Sequence, residues 1–485
     1  MNYSVVRYIL GWIMIVEAAF MLMPALVGLI YKESQGWPFV WVLAGSAVLG
    51  GLFVIKKPEN MNFYVKEGFV TVALSWIIMS VIGCLPFVFN GDIPDFTDAL
   101  FETISGFTTT GATILSEVEP LANCSLFWRS FTHWIGGMGV LVFLLAIVPM
   151  TGGTNMNLMK AESPGPSVDK IVPKVRYNAL ILYGIYILLT VIQIILLIAG
   201  NMSVFESVTT AFSTAGTGGF GIRNDSLASA TPYIQWVVTI FMILFGINFG
   251  VYFLLLTKKF KQAVLHEEAR TYLLIIIVSS LIIFFNIYDN MASGAEAIRH
   301  AFFQVASLIT TTGFMSADFN LWPVMSQTVL IVVMFVGACA GSTGGGIKVS
   351  RFLILIKTMF KEITSFLHPR SVKKVTVEGK VVEHETIRAT NVFIVTYILI
   401  FVSSLFLITL DNNDIVTNFT SVVATINNVG PGLNAVGPTQ NFGHFSDFSK
   451  YVFMFDMLAG RLELFPLLLL FCPSVWKGKK KKKNQ

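Results

Sequence analysis

Charge is what this chain has least of. Across 485 residues, Asp, Glu, Lys and Arg make up 13%, against 54% hydrophobic residues and a mean hydropathy of +0.72. That is too little polar surface to cover a soluble globule of this size, so the chain belongs in a membrane. The period-two alternation with turn signals that marks a barrel is also missing. What is left is helices of about 20 apolar residues, because backbone groups in hydrocarbon must be satisfied within their own element. The four cysteines, Cys84, Cys124, Cys339 and Cys472, are scattered, three of them in or beside apolar runs, and they supply no disulfide or metal framework. The six histidines and the carboxylates show no metal-ligand or triad spacing, so no covalent cofactor and no enzymatic catalysis is expected.

Against that apolar background a short polar phrase stands out four times: TTTGAT (108–113), TAGTGGF (214–220), ITTTGF (309–314) and NNVGPG (427–432). Each lies between apolar segments. The spacing predicts two leading helices, about 5–30 and 38–55, followed by four units of span, short helix, loop and span. The unit spans are about 68–89 with 125–149, 177–198 with 233–256, 272–287 with 323–360, and 391–410 with 451–471. The short helices are about 96–107, 204–213, 297–309 and 415–426. The expected fold is therefore all-α and integral to the membrane, with ten transmembrane helices arranged around a pseudo-fourfold pore. Its parts are 1–60, 61–155, 156–262, 263–370, 371–476 and a basic tail at 477–485.

The polar residues carry the repeat as well. FETISGFTTTG and FQVASLITTTG both place a polar side chain, Glu102 or Gln304, nine positions before the glycine, and SVVATINNVG keeps the spacing with asparagines. In the second loop Gly216, Gly218 and Gly219 could each claim the equivalent place. Aligning on a glycine followed by Phe, Ala or Pro selects Gly219, to match Gly111, Gly313 and Gly430. A filter must replace the water around a cation with well-aimed carbonyls, and glycine permits the positive φ and close approach this needs. The loops are accordingly read as an ion filter of Thr109, Thr110, Gly111, Thr217, Gly218, Gly219, Thr311, Thr312, Gly313, Asn428, Val429 and Gly430, with each short helix aiming the negative end of its dipole at the ion. Small-residue phrases also mark close helix packing, but four copies with the same flanks argue against that.

Most of the 33 Lys and Arg fall at Arg7, 56–66, 160–176, 258–270, 357–388 and 477–483. With a cytoplasmic amino terminus every one of these segments is cytoplasmic, both ends lie inside, and the polar loops enter from outside. The outer segments carry Asp92, Asp95, Asp98, Glu117, Glu119, Asp411 and Asp414, which read either as an acidic vestibule that concentrates cations or as solvated loop carboxylates.

Two features break the repeat. GACAGSTGGGIK, 337–348, puts five glycines in an overlong apolar run, at roughly 1 kcal/mol each against helix. A loop there (Gly341, Ser342, Thr343, Gly344, Gly345, Gly346, Lys348) reads as a gate beneath the filter, and a tightly packed kinked helix is the alternative. The second feature is Arg461, near the middle of the last expected span. It reads as a pore-facing barrier that anchors the glycine loop, or as one half of a structural salt bridge.

Together the four loops, AGSTGGGIK and GRLELF resemble the bacterial Trk/Ktr/HKT superfamily of potassium transporters, and the two leading helices resemble its TrkH/TrkG branch. The resemblance covers nearly the whole chain. It implies potassium uptake, with the ion held at the filter of Gly111, Gly219, Gly313 and Gly430. Members with serine at the first filter position tend toward sodium, and this chain has Gly111. It also implies the bacterial inner membrane, a lipid-embedded homodimer and a cytosolic nucleotide-binding ring partner of the TrkA type. No nucleic acid partner is expected. The runner-up is a symporter that couples potassium to protons or sodium, which calls for midplane ionisable residues and inverted repeats, whereas these repeats run parallel.

Overall fold

The computed structural model describes residues 1–59, 64–139, 175–369 and 373–476. It is helical almost throughout. A two-stranded hairpin, Thr376–Val377 with Lys380–Val381, is the only sheet among the described residues. Two long helices lead, Tyr3–Tyr31 and Trp37–Ile55, and pack along each other.

Six helices among the described residues are long and apolar enough to cross a membrane, and the bent pair Pro232–Phe245 and Phe249–Leu256 brings the number to seven when it is counted as one span. The chain is thus a multi-pass membrane protein. Its long helices turn apolar side chains outward, with Phe285 74% and Phe406 75% exposed, a placement that lipid tolerates and water does not.

Several expected spans are broken. The run at 323–360 divides into Val324–Val336 and Val349–Leu367 around the glycine-rich segment. The span at 233–256 turns by 90° at Gly246–Asn248, which the apolar pattern does not signal. The last expected span also stops early. Asp447–Arg461 ends at the arginine, Glu463 and Leu464 take positive φ, and Phe465–Leu470 restarts with Pro466 in its first turn. Arg461 therefore sits in a helix's last turn rather than mid-span, where a cation meets the negative end of the dipole. Asn123–Met138 is the described part of the span expected at 125–149, and the rest of it, with the basic segment 160–174 and the tail, lies outside the described residues.

The short helices are the best-buried elements. Phe96–Phe107, Val204–Gly216, Gly294–Ile309 and Ile415–Ile426 each start on a side-chain cap, Asp95, Ser203, Ser293 and Asp414 respectively. The first three carry an acid three residues after the cap, close to the capping-box pattern. All four run inward from these caps and deliver the polar loops to the centre of the protein.

Candidate functional site

The four loops share one backbone course. At the end of each short helix a residue takes the left-handed conformation, Thr109, Thr217, Thr311 and Asn428 at φ 56°, 56°, 58° and 56°. The next residue's N–H reaches back five positions: Thr110 to Ser105 O at 2.9 Å, Gly218 to Ser213 O at 2.9 Å, Thr312 to Ser307 O at 2.8 Å and Val429 to Ala424 O at 2.8 Å. This is a helix C-cap that ordinarily uses glycine. A left-handed threonine costs about 1 to 2 kcal/mol, and such strain persists only where the surroundings over-determine it.

Two residues beyond each left-handed position comes a glycine with φ between 79° and 95°: Gly111, Gly219, Gly313 and Gly430. The match aligns Gly219, rather than Gly216 or Gly218, with the other three. A β-carbon at Gly111 would collide with Gly218 O, at Gly219 with Thr312 O, at Gly313 with Val429 O, and at Gly430 with Thr110 O. Each loop's glycine thus abuts the carbonyl just before the next loop's glycine, and the fourth loop returns to the first. The Asn428 amide closes that last joint by donating to Thr110 Oγ1 at 3.0 Å and to Met457 O at 2.8 Å.

Behind the ring lies a polar scaffold that the sequence reading noticed only in part. Glu102 and Arg129 form a buried ion pair at 2.8 Å, with side chains 0% and 2% exposed. Glu102 also accepts from the Thr113 hydroxyl and Ile114 N–H, while Arg129 donates to Gly221 O at 3.1 Å and lies over the Phe220 ring. His133 Nδ1 is 2.7 Å from Gly106 O, and its Nε2 accepts from Phe220 N–H at 3.2 Å, a pairing that suits the neutral Nδ1–H tautomer. First and second loops are so joined through one histidine. Arg129 and His133, four apart on one helix face, were an available signal, since ionisable groups within spans rarely lack a task. Ser213 and Ser307 brace their own loops by donating to Phe220 O at 2.8 Å and Phe314 O at 2.6 Å.

All four ring glycines line a cavity of about 110 Å³ that opens between the outer segments. No carboxylate lines it, and Arg129 and Arg223 do. The outer acids are engaged in structure instead: Asp95 and Asp414 cap helices, Asp98 pairs with Lys450, Asp92 accepts from Ser125, Glu119 from Asn224 N–H and Asp411 from Ser446 N–H. None of these acids lines the cavity beside the ring glycines.

The glycine-rich segment lies against the inner ends of the loops. Gly345 N–H donates to Thr311 Oγ1 at 2.6 Å and Gly346 N–H to Asn427 O at 3.0 Å, and Gly344 packs on Thr310 O. Gly341 and Ser342 face elsewhere. Cys339 N–H donates to Gly246 O at 3.1 Å, and Phe249 N–H to Gly341 O at 3.0 Å. The broken helix's orphan backbone groups are satisfied in this way by the loop. Lys348, at φ 84°, folds back to donate to Gly344 O. Arg461 donates to Thr343 O and Gly137 O, both at 2.9 Å, and to Gly136 O, so one guanidinium ties the loop to the first unit. The nearby acids have other partners, Glu463 with Arg351 and Asp456 with Ser404. The sequence reading missed Glu268, which is buried and accepts from Ala340 N–H at 2.7 Å and Ser350 N–H at 3.1 Å, pinning both ends of the loop.

Among the described residues no group of three or more His, Cys, Asp or Glu is placed to hold a metal ion. The ring offers backbone and hydroxyl oxygens, the donors a weakly coordinated monovalent cation takes.

Comparison with known proteins shows which family the chain belongs to. The chain is 36% identical to the Trk system potassium uptake protein TrkH of Salmonella typhimurium, over 98% of this chain and all of that one. It is 32% identical to the Trk system potassium uptake protein TrkG of Escherichia coli K12, over 98% and 99%. The crystal structure of the potassium transporter TrkH from Vibrio parahaemolyticus superimposes with a TM-score of 0.86 at 31% identity, covering 98% of this chain and 100% of that one. The TrkH family, described as cation transport proteins, matches residues 41–478. The chain therefore belongs to the TrkH family, a family of transporters and not of enzymes.

Proposed function

We propose that this protein takes up potassium across the bacterial inner membrane through a pseudo-fourfold pore, within ten spans, on the axis of the ring. The observation that carries the reading is the cycle of four glycines, each seated against the next loop's carbonyl. Such a cycle holds the carbonyls of Thr110, Gly218, Thr312 and Val429 at fixed separation, and fixed separation is what lets oxygens replace a hydration shell. Four short helices end at this point, and their dipoles favour a cation there. The ion is substrate, not a resident cofactor. The relatives named as potassium uptake proteins support the choice of ion.

Flow is controlled below the ring. The Gly341–Lys348 loop and Arg461 form the gate: the loop's N–H groups hold the filter from beneath, and the guanidinium places positive charge in the ion's way. Opening requires the Arg461–Thr343 and Gly345–Thr311 bonds to part. A cytosolic nucleotide-binding ring docks on the basic inner loops, both termini lie on that side, and the protomers pair as a homodimer in lipid. Nothing in the ring favours coupling to protons or sodium, and the symport alternative is not carried forward.

Flux tests the reading. In a strain without other potassium uptake, Gly111→Ser or Gly313→Asp should abolish growth at low potassium or admit sodium. Unchanged uptake and selectivity in both variants would reject the filter. Arg461→Ala should raise partner-independent flux in liposomes, and flux still dependent on the partner would move the gate elsewhere.

A further inference from the structure

A second cavity, of about 430 Å³, lies between the last turns of the Val349–Leu367 helix, the Thr376–Val381 hairpin and the start of the His384–Ile408 helix. Lys361, Lys373, Lys374 and His384 line it, against one acid, Glu383. Val381 and Ile387 make an apolar wall. His384 opens a span-length helix, so the cleft sits at the level where the membrane begins. Beside it the Val349–Leu367 helix ends in Phe366 and Leu367, 86% and 70% exposed, and Ile356, Met359 and Ile363 extend the same exposed stripe. Apolar residues facing out of the bundle and lysines gathered in a recess at membrane level match the two halves of a phospholipid.

The cleft is also wired to the glycine loop. Lys357 donates to Thr376 O at 2.8 Å on the hairpin, and Glu378 N–H at its tip donates to Glu267 Oε2 at 3.2 Å. Glu378 Oε1 accepts from Glu268 N–H and pairs with His266 Nδ1, both at 3.1 Å. Glu268 in turn holds Ala340 and Ser350, the two ends of the loop.

We infer that this cleft binds the headgroup of an anionic phospholipid of the cytoplasmic leaflet, and that the hairpin relays its occupancy through Glu378 and Glu268 to the glycine loop. Net positive charge selects an anion, and the adjoining apolar stripe selects one that carries acyl chains. Occupancy draws Lys373 and Lys374 toward the phosphate and fixes the hairpin against the Glu267–Ile287 helix, which sets the tension on Glu268. The relay rests on the gating reading above, whereas the binding site does not.

The two halves are therefore tested separately. Native mass spectrometry of the purified full chain, with phosphatidylglycerol against phosphatidylcholine, reads the site directly. Retention of phosphatidylglycerol should exceed that of phosphatidylcholine, and Lys361→Gln with Lys374→Gln should cut that preference roughly tenfold. Equal preference in wild type and variant would overturn the site. Displacement of the lipid by millimolar inorganic phosphate would overturn the lipid assignment, and a change of oligomeric state in the variant would make the cleft an interface between copies. For the relay, potassium flux in liposomes should depend on phosphatidylglycerol in the wild type. In Glu268→Ala that dependence should vanish while lipid retention stays intact. Persisting lipid-dependent flux in Glu268→Ala would overturn the relay, and flux without selectivity at unchanged lipid retention would count against the filter alone.

Discussion

Threonine at φ near 57° is the residue-scale signature of this protein. Three loops accept a β-branched residue where glycine would be unstrained, and in the third the hydroxyl shows a reason: Thr311 Oγ1 is the acceptor for Gly345 N–H. Thr311→Val keeps the shape and removes that acceptor. A buried N–H left unpaired costs about 1 to 3 kcal/mol, so the variant should loosen the glycine loop and raise basal flux without changing ion selectivity. Flux and reversal potential measured together check both halves. The buried Glu102–Arg129 pair makes a different prediction. Breaking such a pair costs about 3 to 5 kcal/mol, so Arg129→Met should lower the thermal unfolding midpoint by several degrees and disturb the first and second loops together. Of these residues Glu102 was visible as a polar place in the repeat. Its partner was not, because an ion pair 27 residues apart depends on how two helices meet.

At the scale of elements the short helices were legible almost to their ends, since cap, apolar stripe and terminal polar phrase agree. Asp414 shows the cap at work. Hydrogen bonds from the Thr417 hydroxyl above all, then from the Thr417 and Val416 N–H groups and Asn434, outweigh burial and hold its carboxyl below the usual range. A depressed value means stability that is complete above about pH 4, the ordinary aspartate range, and lost as pH falls through the lower folded value. Asp414→Ala should accordingly destabilise by about 1 kcal/mol at pH 7, with the difference from wild type closing below pH 4 in thermal melts. The helix breaks were less legible. Glycine clustering announces the one at 337–348, but the 90° turn at Gly246–Asn248 depends on N–H groups of the glycine-rich segment that satisfy the freed carbonyls. Glu268→Ala removes the anchor of both loop ends and should raise basal flux in liposomes even without the partner. Wild-type flux in that variant would show that the anchor does not restrain the loop.

For the whole molecule, the proposed orientation makes a prediction that is independent of transport. In a Cys472→Ser background, a cysteine placed at Gln440 should react with an impermeant thiol reagent only from outside, and one at Lys380 only from inside. Labelling of both from one side would invert or abolish the proposed topology. The family resemblance drawn from the loops, AGSTGGGIK and GRLELF is borne out by relatives that match nearly end to end.

Composition by itself determined the solvent, because 13% charge leaves no alternative to lipid. Local pattern determined the short helices and the places where glycine was needed, since caps, periodicity and positive φ are properties of neighbouring residues. Only the tertiary structure decided which residues meet around the ring and what holds the glycine loop. Those contacts join carbonyls, N–H groups and side chains that lie from 34 to more than 300 residues apart in the chain. Arg461 is the clearest case, for its charge was plain in the sequence, but its partners Thr343 and Gly136, 118 and 325 residues away, became neighbours only when the chain folded.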